Sequence, residues 1–377
     1  MVNDQLEFVA YENERSVQMK STWASLEELG GVALFNMELD NPQGVCPERP
    51  FNLLHAIADT QVCEHCIHVD DVTPCDTTFV TSCSYRLTTA EEKNPMPPSK
   101  IPFEQCTRIV VEEAILNEKA EITFRDAHAE KAMLNLTQHL PKIGMKRLIA
   151  SNVTQTLLDF VQKNKFSGIE LKCDDLLEPV HRVPFMNLLS ALKEGLIAIT
   201  PPQYCPYSLS LRLPVWKREL EETYDIQTLN SLYHVVLEPF NDPAREESTH
   251  LNSPLFPSNG HDTDIHTTVS AWLKQGVERP KILVQIPSYS TMQEIVANTS
   301  GVVGAAAKNG QILNQAQVCA KLSQKGTTQK QIWDRMAMYA ETADRKWISR
   351  SCHQLPFPLL NAAKARCSEK PQEAPGH

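Results

Sequence analysis

TQTLLDFVQKNKFSGIELKC (154–173) changes its period half-way. Up to Lys165 the apolar residues Leu157, Leu158 and Val161 recur at the spacing of a helix face, about 3.6 residues per turn. From Gly168 onward Ile169, Leu171 and Cys173 alternate with Glu170, Lys172 and Asp174. A strand sends alternate residues to opposite faces, so one face is apolar and the other carries minus, plus, minus. Either that charged face meets water, or it lines the inside of a site.

Working outward, strand-like and helix-like segments alternate over most of the chain. Strand patterns occur in FVTSCSYRL (79–87), RIVVEEAIL (108–116), MKRLIAS (145–151), GIELKC (168–173), YSLSLRLPV (207–215), YHVVLE (233–238) and KILVQI (281–286). VPFMNLLSALKEG (183–195) and IHTTVSAWLKQG (265–276) carry helical patterns between them. Such alternation predicts an α/β fold with a parallel sheet. One further strand would close a (β/α)8 TIM barrel. No candidate follows residue 286 at the right place, and 288–350 reads as a long insertion. A plausible strand lies far upstream, in GGVALFNMELDN (30–41).

CPERPFNLLHAI (46–57) and CHQLPFPLLNAA (352–363) share Cys, Pro-Phe, Leu-Leu and Ala at identical spacing. Either the match is chance, or the closing segment of one module occurs twice. The organisation read from these features is a closing segment at 1–60, a linker at 61–78, a main body at 79–367 and a tail at 368–377. The linker lacks periodicity. The tail lacks apolar anchors and reads as disordered.

The chain has 377 residues, 42% of them hydrophobic, enough for a sizeable core. A net charge of −10 argues against a nucleic-acid partner, because phosphate binding needs basic patches. No run of about 18 apolar residues occurs, so no membrane span is expected. MVNDQLEFVAYENER (1–15) has neither a basic start nor an apolar run and does not read as a signal peptide. Yet the 11 cysteines, with glycosylation sequons at Asn135, Asn152 and Asn298, favour an oxidising compartment. A natural start further upstream would reconcile the two.

These stretches together resemble the family 18 glycoside hydrolases, the chitinases and chitinase-like lectins, from about residue 10 to residue 367. GGVALFNMELDNPQGVC resembles the family's last barrel strand, its acidic turn and a cysteine. CSYRL and EQCTRIVVEEA resemble the first two strands, each with its cysteine. SPLFPS and IHTTVSAWLKQGVERPKILVQIPSYS resemble the approach to the seventh strand. GVVGAAAKNGQILNQAQVCAKL resembles the small α+β insertion that follows it. The implied fold is a TIM barrel carrying that insertion. With the closing strand upstream, the barrel is either incomplete or circularly permuted.

The family's catalytic strand reads Asp-x-x-Asp-x-Asp-x-Glu. The matching positions here are Ser167, Glu170, Lys172 and Asp174, and none keeps the family residue. In the family one carboxylic acid protonates the leaving oxygen, and the substrate's acetamido group is the nucleophile. Asp174, at the acid's position, is one methylene shorter than Glu. Lys172 on the same face favours its ionised form. The family's acetamido-holding Tyr-Asp falls on Glu238 and Pro239, and its barrel-floor tryptophan on Phe35. Further family aromatics fall near Thr88 and in SNVT (151–154). The resemblance therefore implies a non-catalytic chitinase-like protein that needs no cofactor or metal. It would bind chitin, another N-acetylglucosamine-containing glycan or a protein weakly, and would be secreted. A degenerate module of a multi-domain chitinase is a related reading. The rival is an active chitinase hydrolysing β-1,4-linked N-acetylglucosamine polymers, with Glu170 or Glu238 as its acid.

The resemblance also implies two disulfides, Cys83–Cys106 and Cys319–Cys352, with Cys46 as the counterpart of Cys352. Cys63, Cys66 and Cys75, with His65 and His68, lack the second half of a zinc site and read as linker disulfides or free thiols. Cys173 reads as a packed core thiol. Trp23, Trp216, Trp272, Trp333 and Trp347 read as core. Glu170, Lys172 and Asp174 are expected to face inward, joined by Arg212 if its parity allows. GVALFNMEL (31–39) is expected to insert between the first and seventh strands, with 61–78 as a connection of about the needed length. Were residues 1–60 only a leftover of a preceding module, Phe35 would be exposed.

Overall fold

The chain forms two main sheets, and its N-terminal segment contributes a central strand to each. The computed structural model describes residues 7–45, 50–61, 79–87, 96–112, 114–117, 119–139, 153–172, 182–201, 206–213, 224–240, 247–257, 263–296, 303–323, 327–332 and 337–342. In chain order the elements begin with β1 (Glu7–Tyr11), α1 (Glu14–Leu26), β2 (Gly31–Phe35), α2 (Asn52–Gln61), β3 (Val80–Arg86) and β4 (Arg108–Glu112). Then come β5 (Ala114–Leu116), β6 (Ile122–Phe124), α3 (Ala127–His139), α4 (Val153–Asn164), β7 (Gly168–Lys172) and α5 (Arg182–Ile199). These are followed by β8 (Ser208–Leu213), α6 (Ile226–Ser231), β9 (His234–Leu237), α7 (Ile265–Gln275) and β10 (Ile282–Pro287). The last are β11 (Ser290–Ile295), β12 (Ala307–Leu313), α8 (Gln315–Leu322), β13 (Thr327–Ile332) and β14 (Ala337–Thr342).

Seven strands in the order β4-β3-β2-β10-β9-β8-β7 form one sheet, parallel throughout. Strand parity sorts its two faces. Val32, Leu34, Cys83, Tyr85, Leu211, Val235, Leu237 and Val284 pack with helix residues such as Leu54, Leu158, Leu189 and Trp272 in the main core. Ala33, Val80, Val236 and Leu283, of the opposite parity, make a separate apolar layer. Helices outside and a side-chain layer inside make this a nearly closed TIM-type barrel. α7 shows how the sequence punctuates it. Asp264 caps its start through the Thr267 N–H, and Gly276 ends it at φ 103°.

β2 runs parallel to both β3 and β10, with Val32 opposite Thr81 and Val284. A strand from the N-terminal segment thus fills the place between β3 and β10, and the described sheet stays open between its edge strands β4 and β7. GVALFNMEL is a strand only as far as Phe35, and Met37–Leu39 form a 3₁₀ turn. The turn brings buried Asp40 under α2, where its carboxylate accepts from the N–H groups of Leu53 and Leu54 at 3.1 and 2.9 Å. Those are first-turn donors that no helix can satisfy internally.

Three expectations need correction. RIVVEEAIL is not one strand: β4 ends at Glu112, and β5 pairs antiparallel with β6 in a hairpin. Asn117 drives the reversal, its side-chain oxygen accepting from the Lys119 and Glu121 N–H groups. EFVAY, absent from the strand patterns above, is β1. It lies between β11 and β14 in the five-stranded sheet β12-β11-β1-β14-β13, antiparallel to both neighbours. Finally, α2 descends to the end of the barrel where β3 begins. A direct connection there needs about two to six residues, and residues 62–79 are many more than that.

Trp23 and Trp272 are buried in the core. No helix among the described residues is long and apolar enough to cross a membrane. MKRLIAS, the linker, the tail, Trp216, Trp333 and Trp347 lie outside the described residues. Deleting residues 1–61 removes a central strand from both sheets and exposes unpaired edges. The shortened chain is expected to lose its cooperative thermal transition and to aggregate on size exclusion. An unchanged melting temperature and a monodisperse peak would show that β1 and β2 are dispensable.

Candidate functional site

TIM-type barrels do their work at the C-terminal ends of the strands. Here those ends carry the inward-facing residues Phe35, Arg86, Glu112, Lys172, Arg212 and Glu238. One layer deeper lie Ser210, His234 and Glu170, with Arg108 reaching across to them from β4. Parity places them: Glu170 lies beside Ser210, and Lys172 beside Arg212.

Arg212 is the hub. Its Nη2 donates to Glu112 Oε1 at 2.7 Å and to Glu170 Oε1 at 2.6 Å. Its Nη1 lies 3.5 Å from Glu238 Oε1. Arg108 pairs with the other oxygen of Glu170, joining the edge strands β4 and β7 across the interior. Lys172 Nζ lies 2.9 Å from Glu238 Oε2. Three carboxylates thus meet three cations. Five of the six side chains are no more than 16% exposed, whereas the Lys172 side chain is 44% exposed. Nearby, Glu38 and Arg86 form a further pair at 3.4 Å.

The electrostatics follow from this packing. Burial alone would raise the Glu170 pKa, but Arg108 and Arg212 outweigh it and hold the carboxyl below its usual range. Burial raises Glu238, and Lys172 and Arg212 only partly offset it. Glu38 is pushed up to about 8 by burial, against its backbone hydrogen bonds and Arg86. His234 is pushed down to about 3 by burial, and the Arg108 and Lys281 charges add to it. Arg108 Nη1 donates to Ser210 Oγ at 2.9 Å and approaches His234 Nδ1 at 3.4 Å, which suits a neutral imidazole.

An aromatic cluster flanks the ions. The Phe35 ring lies 5.8 Å from Phe240 and 6.3 Å from Tyr289, and those two lie 6.0 Å apart. The Arg212 guanidinium sits over Phe35, 5.4 Å from the ring centre. Phe35 is half-buried, not left exposed.

Chemically, the carboxylates around Arg212 are poor acids, and Glu38, which keeps its proton more readily, lies against Arg86. Glu170 is ionised between two guanidiniums. Glu238 holds a proton more readily, but Lys172 and Arg212 already occupy its oxygens. A general acid must arrive protonated and reach the leaving atom.

The family model described as Glycosyl hydrolases family 18 matches residues 148–350. The chain belongs to this family. It is 28% identical over 309 residues to a chitinase-like protein of Caenorhabditis elegans, a match covering 75% of this chain and 28% of that protein. The chain therefore spans little more than a quarter of that relative's length. Human YKL-39, described as a pseudo-chitinase with retained chitooligosaccharide binding properties, has a similar fold. Its TM-score is 0.56 at 18% identity, over 71% of this chain and 85% of YKL-39. The Group IV chitinase of Ostrinia furnacalis gives a TM-score of 0.58 at 15% identity, over 71% of this chain and 86% of the enzyme. A chitinase and a pseudo-chitinase share the architecture, so activity has to be argued from the site.

Of the family-motif positions, Glu170 and Lys172 belong to the ion network. Ser167 is exposed just before β7, at the far end from the mouth, and Asp174 lies outside the described residues. Glu238 joins the network and Pro239 is buried just beyond β9. Arg108 and Glu112 escaped the sequence reading, although alternation in RIVVE puts both on one face. Phe240 and Tyr289 carried no sequence signal, because loops place them. Cys83 and Cys106 are joined by a disulfide on the barrel's outer face. Cys319 is disulfide-bonded, and Cys46, Cys63, Cys66, Cys75, Cys173 and Cys352 lie outside the described residues. Asn135 is within α3, and Asn152 and Asn298 lie outside the described residues.

Removing the hub should be severe. Arg212→Met strands Glu112, leaves Glu170 with Arg108 alone and is expected to cost about 3–5 kcal/mol in urea unfolding. Lys172→Met should cost clearly less, because Lys172 is half exposed and Glu238 keeps Arg212. Equal losses would show that Arg212 is not the hub. His234 adds an acid dependence. Its folded pKa of about 3 lies well below the ordinary histidine value of 6.5, so the unfolded chain binds more protons between these values. Stability therefore falls as pH drops through that window. His234→Gln is expected to flatten this part of the pH–stability curve, and an unchanged slope would refute the assignment.

Proposed function

We propose that this chain is a non-catalytic, chitinase-like member of family 18. The carrying observation is that Arg212, Arg108 and Lys172 engage both inward carboxylates that could replace the family acid, Glu170 and Glu238. Asp174, which lies outside the described residues, is one methylene shorter than the family's Glu. Ground-state binding is less demanding than catalysis, because it needs shape and stacking but no free acid. The Phe35–Phe240–Tyr289 cluster supports weak binding of N-acetylglucosamine-containing glycans, with Arg212 covering part of the Phe35 face. Cys83–Cys106 and the three sequons support an extracellular location. The short coverage of the C. elegans relative supports a place as one module of a longer protein, with residues 1–60 as closing segment and 79–367 as main body.

Purified protein is expected to release no reporter from a chitotriose substrate above a buffer control. Turnover that disappears in Glu238→Gln or Glu170→Gln would overturn the reading and favour an active chitinase. In a calorimetric titration chitooligosaccharide should bind weakly, and Phe35→Ala should weaken it several-fold. Binding that ignores Phe35 would move the glycan site away from the barrel mouth.

A further inference from the structure

The edge of the second sheet carries an asparagine that the barrel mouth does not use. β12 is an edge strand, and among the described residues 308–313 pair with β11 alone. Its ladder slips by one residue. Gln311 stands opposite Met292 and Lys308 opposite Glu294, so Asn309 and Gly310 together face Gln293. Two residues against one make a β-bulge, which leaves the extra residue out of the ladder. Asn309 is exposed and left-handed at φ 54°, the conformation of the leading residue in one class of bulge. Gly310 follows it, half-buried, at a φ that is not positive.

This pair of residues has a chemistry of its own. A backbone nitrogen can attack the carboxamide of the preceding asparagine, and the side chain of the attacking residue obstructs the approach. Glycine has none, which permits close backbone contact. Among the described residues Asn309 is the one asparagine followed by glycine; Asn259–Gly260, the other such pair in the chain, lies outside them. The surroundings are charged. Asn309 Nδ2 donates to Glu294 Oε2 at 2.8 Å. Glu294 stands opposite Lys308 on one side and Glu7 on the other, and Lys321 pairs with Glu7 at 2.6 Å. The carboxamide is thus a neutral donor set beside two carboxylates that already face each other.

We propose that Asn309 is a self-modification site whose conversion loosens the edge of the second sheet. The Gly310 nitrogen gives its proton to solvent and bonds to Asn309 Cγ. The Cγ–Nδ2 bond breaks, and Nδ2 takes up a proton and leaves as ammonia. One water then adds to the succinimide ring and opens it to aspartate or to isoaspartate. The sum is asparagine plus water giving a carboxylic acid and ammonia. Ionised aspartate accepts only, so the hydrogen bond to Glu294 is lost and a third carboxylate joins Glu7 and Glu294. Isoaspartate also lengthens the backbone by one atom inside the bulge. Both products weaken the β11–β12 ladder. The conversion is independent of whether the barrel mouth binds glycan.

The test uses the full folded chain, aged in heavy-oxygen water at mildly alkaline pH, quenched in acid, reduced and digested. The water that opens the ring supplies one oxygen, so conversion before digestion carries the label. The peptide holding Asn309 should gain one heavy oxygen and split into aspartate and isoaspartate forms, ahead of peptides holding the other described asparagines. Gly310→Ala, at a φ that alanine tolerates, should lose that gain. Asn309→Asp reads the consequence. Amide hydrogen exchange over 308–313 should quicken several-fold while β9 and β10 keep their rates, and adding Glu294→Gln should restore slow exchange. A folded chain that keeps its carboxamide while the urea-unfolded chain loses it overturns the proposal, because the bulge then protects the side chain. Absence of label at Asn309 in both states overturns it too. Unchanged exchange in Asn309→Asp overturns the loosening.

Discussion

The pairing of β2 with both β3 and β10 is the constraint on which the rest of the molecule depends. A parallel barrel strand must bond on both edges, and β2 does so with Val32 between Thr81 and Val284. The approach is tight at its first residue. Gly31 has φ +152°, and a Cβ there would press into the Val80 backbone, so only glycine fits. With β2 in place, its C-terminal end delivers Phe35 to the aromatic cluster and Asn36 to Ser84. The following turn delivers Asp40 to the start of α2. At the other end of α1, β1 enters the second sheet, so one N-terminal segment organises both.

The charged interior is the second consequence of barrel closure. Carboxylates and guanidiniums buried together are tolerable only when paired, and the mouth balances Glu112, Glu170 and Glu238 against Arg108, Lys172 and Arg212. The same arrangement that makes these groups acceptable in a folded core makes them poor acids. Catalysis needs a carboxyl that keeps its proton and has a free path to substrate. Here the two demands oppose each other, and pairing wins at Glu170.

How much was legible from the sequence varies with the distance over which each feature is specified. Local periodicity placed α4, α5, α7 and the strands around Glu170, Arg212 and Val284, because helix and strand faces repeat over a few residues. It failed at EFVAY, a five-residue strand with no turn signal before it and a helix directly after it. It overran at RIVVEEAIL, where the Asn117 turn overrode strand propensity. In the site, inward parity identified Glu170, Lys172 and Arg212 but did not show which charges meet.

By itself the sequence determined the family, the barrel class and the inward orientation of Glu170 and Lys172. Each of these is written in short-range pattern or in motif spacing. Only the tertiary structure decided that the N-terminal β2 lies between β3 and β10, that Arg212 is the hub and that Arg108 reaches Glu170 from the far edge strand. Arg108 and Glu170 stand 62 positions apart, and β2 meets β10 across most of the chain. Ladder edges and opposite charges carry no label of their partners along the chain, and the partners are set only when the sheet curls and brings them together.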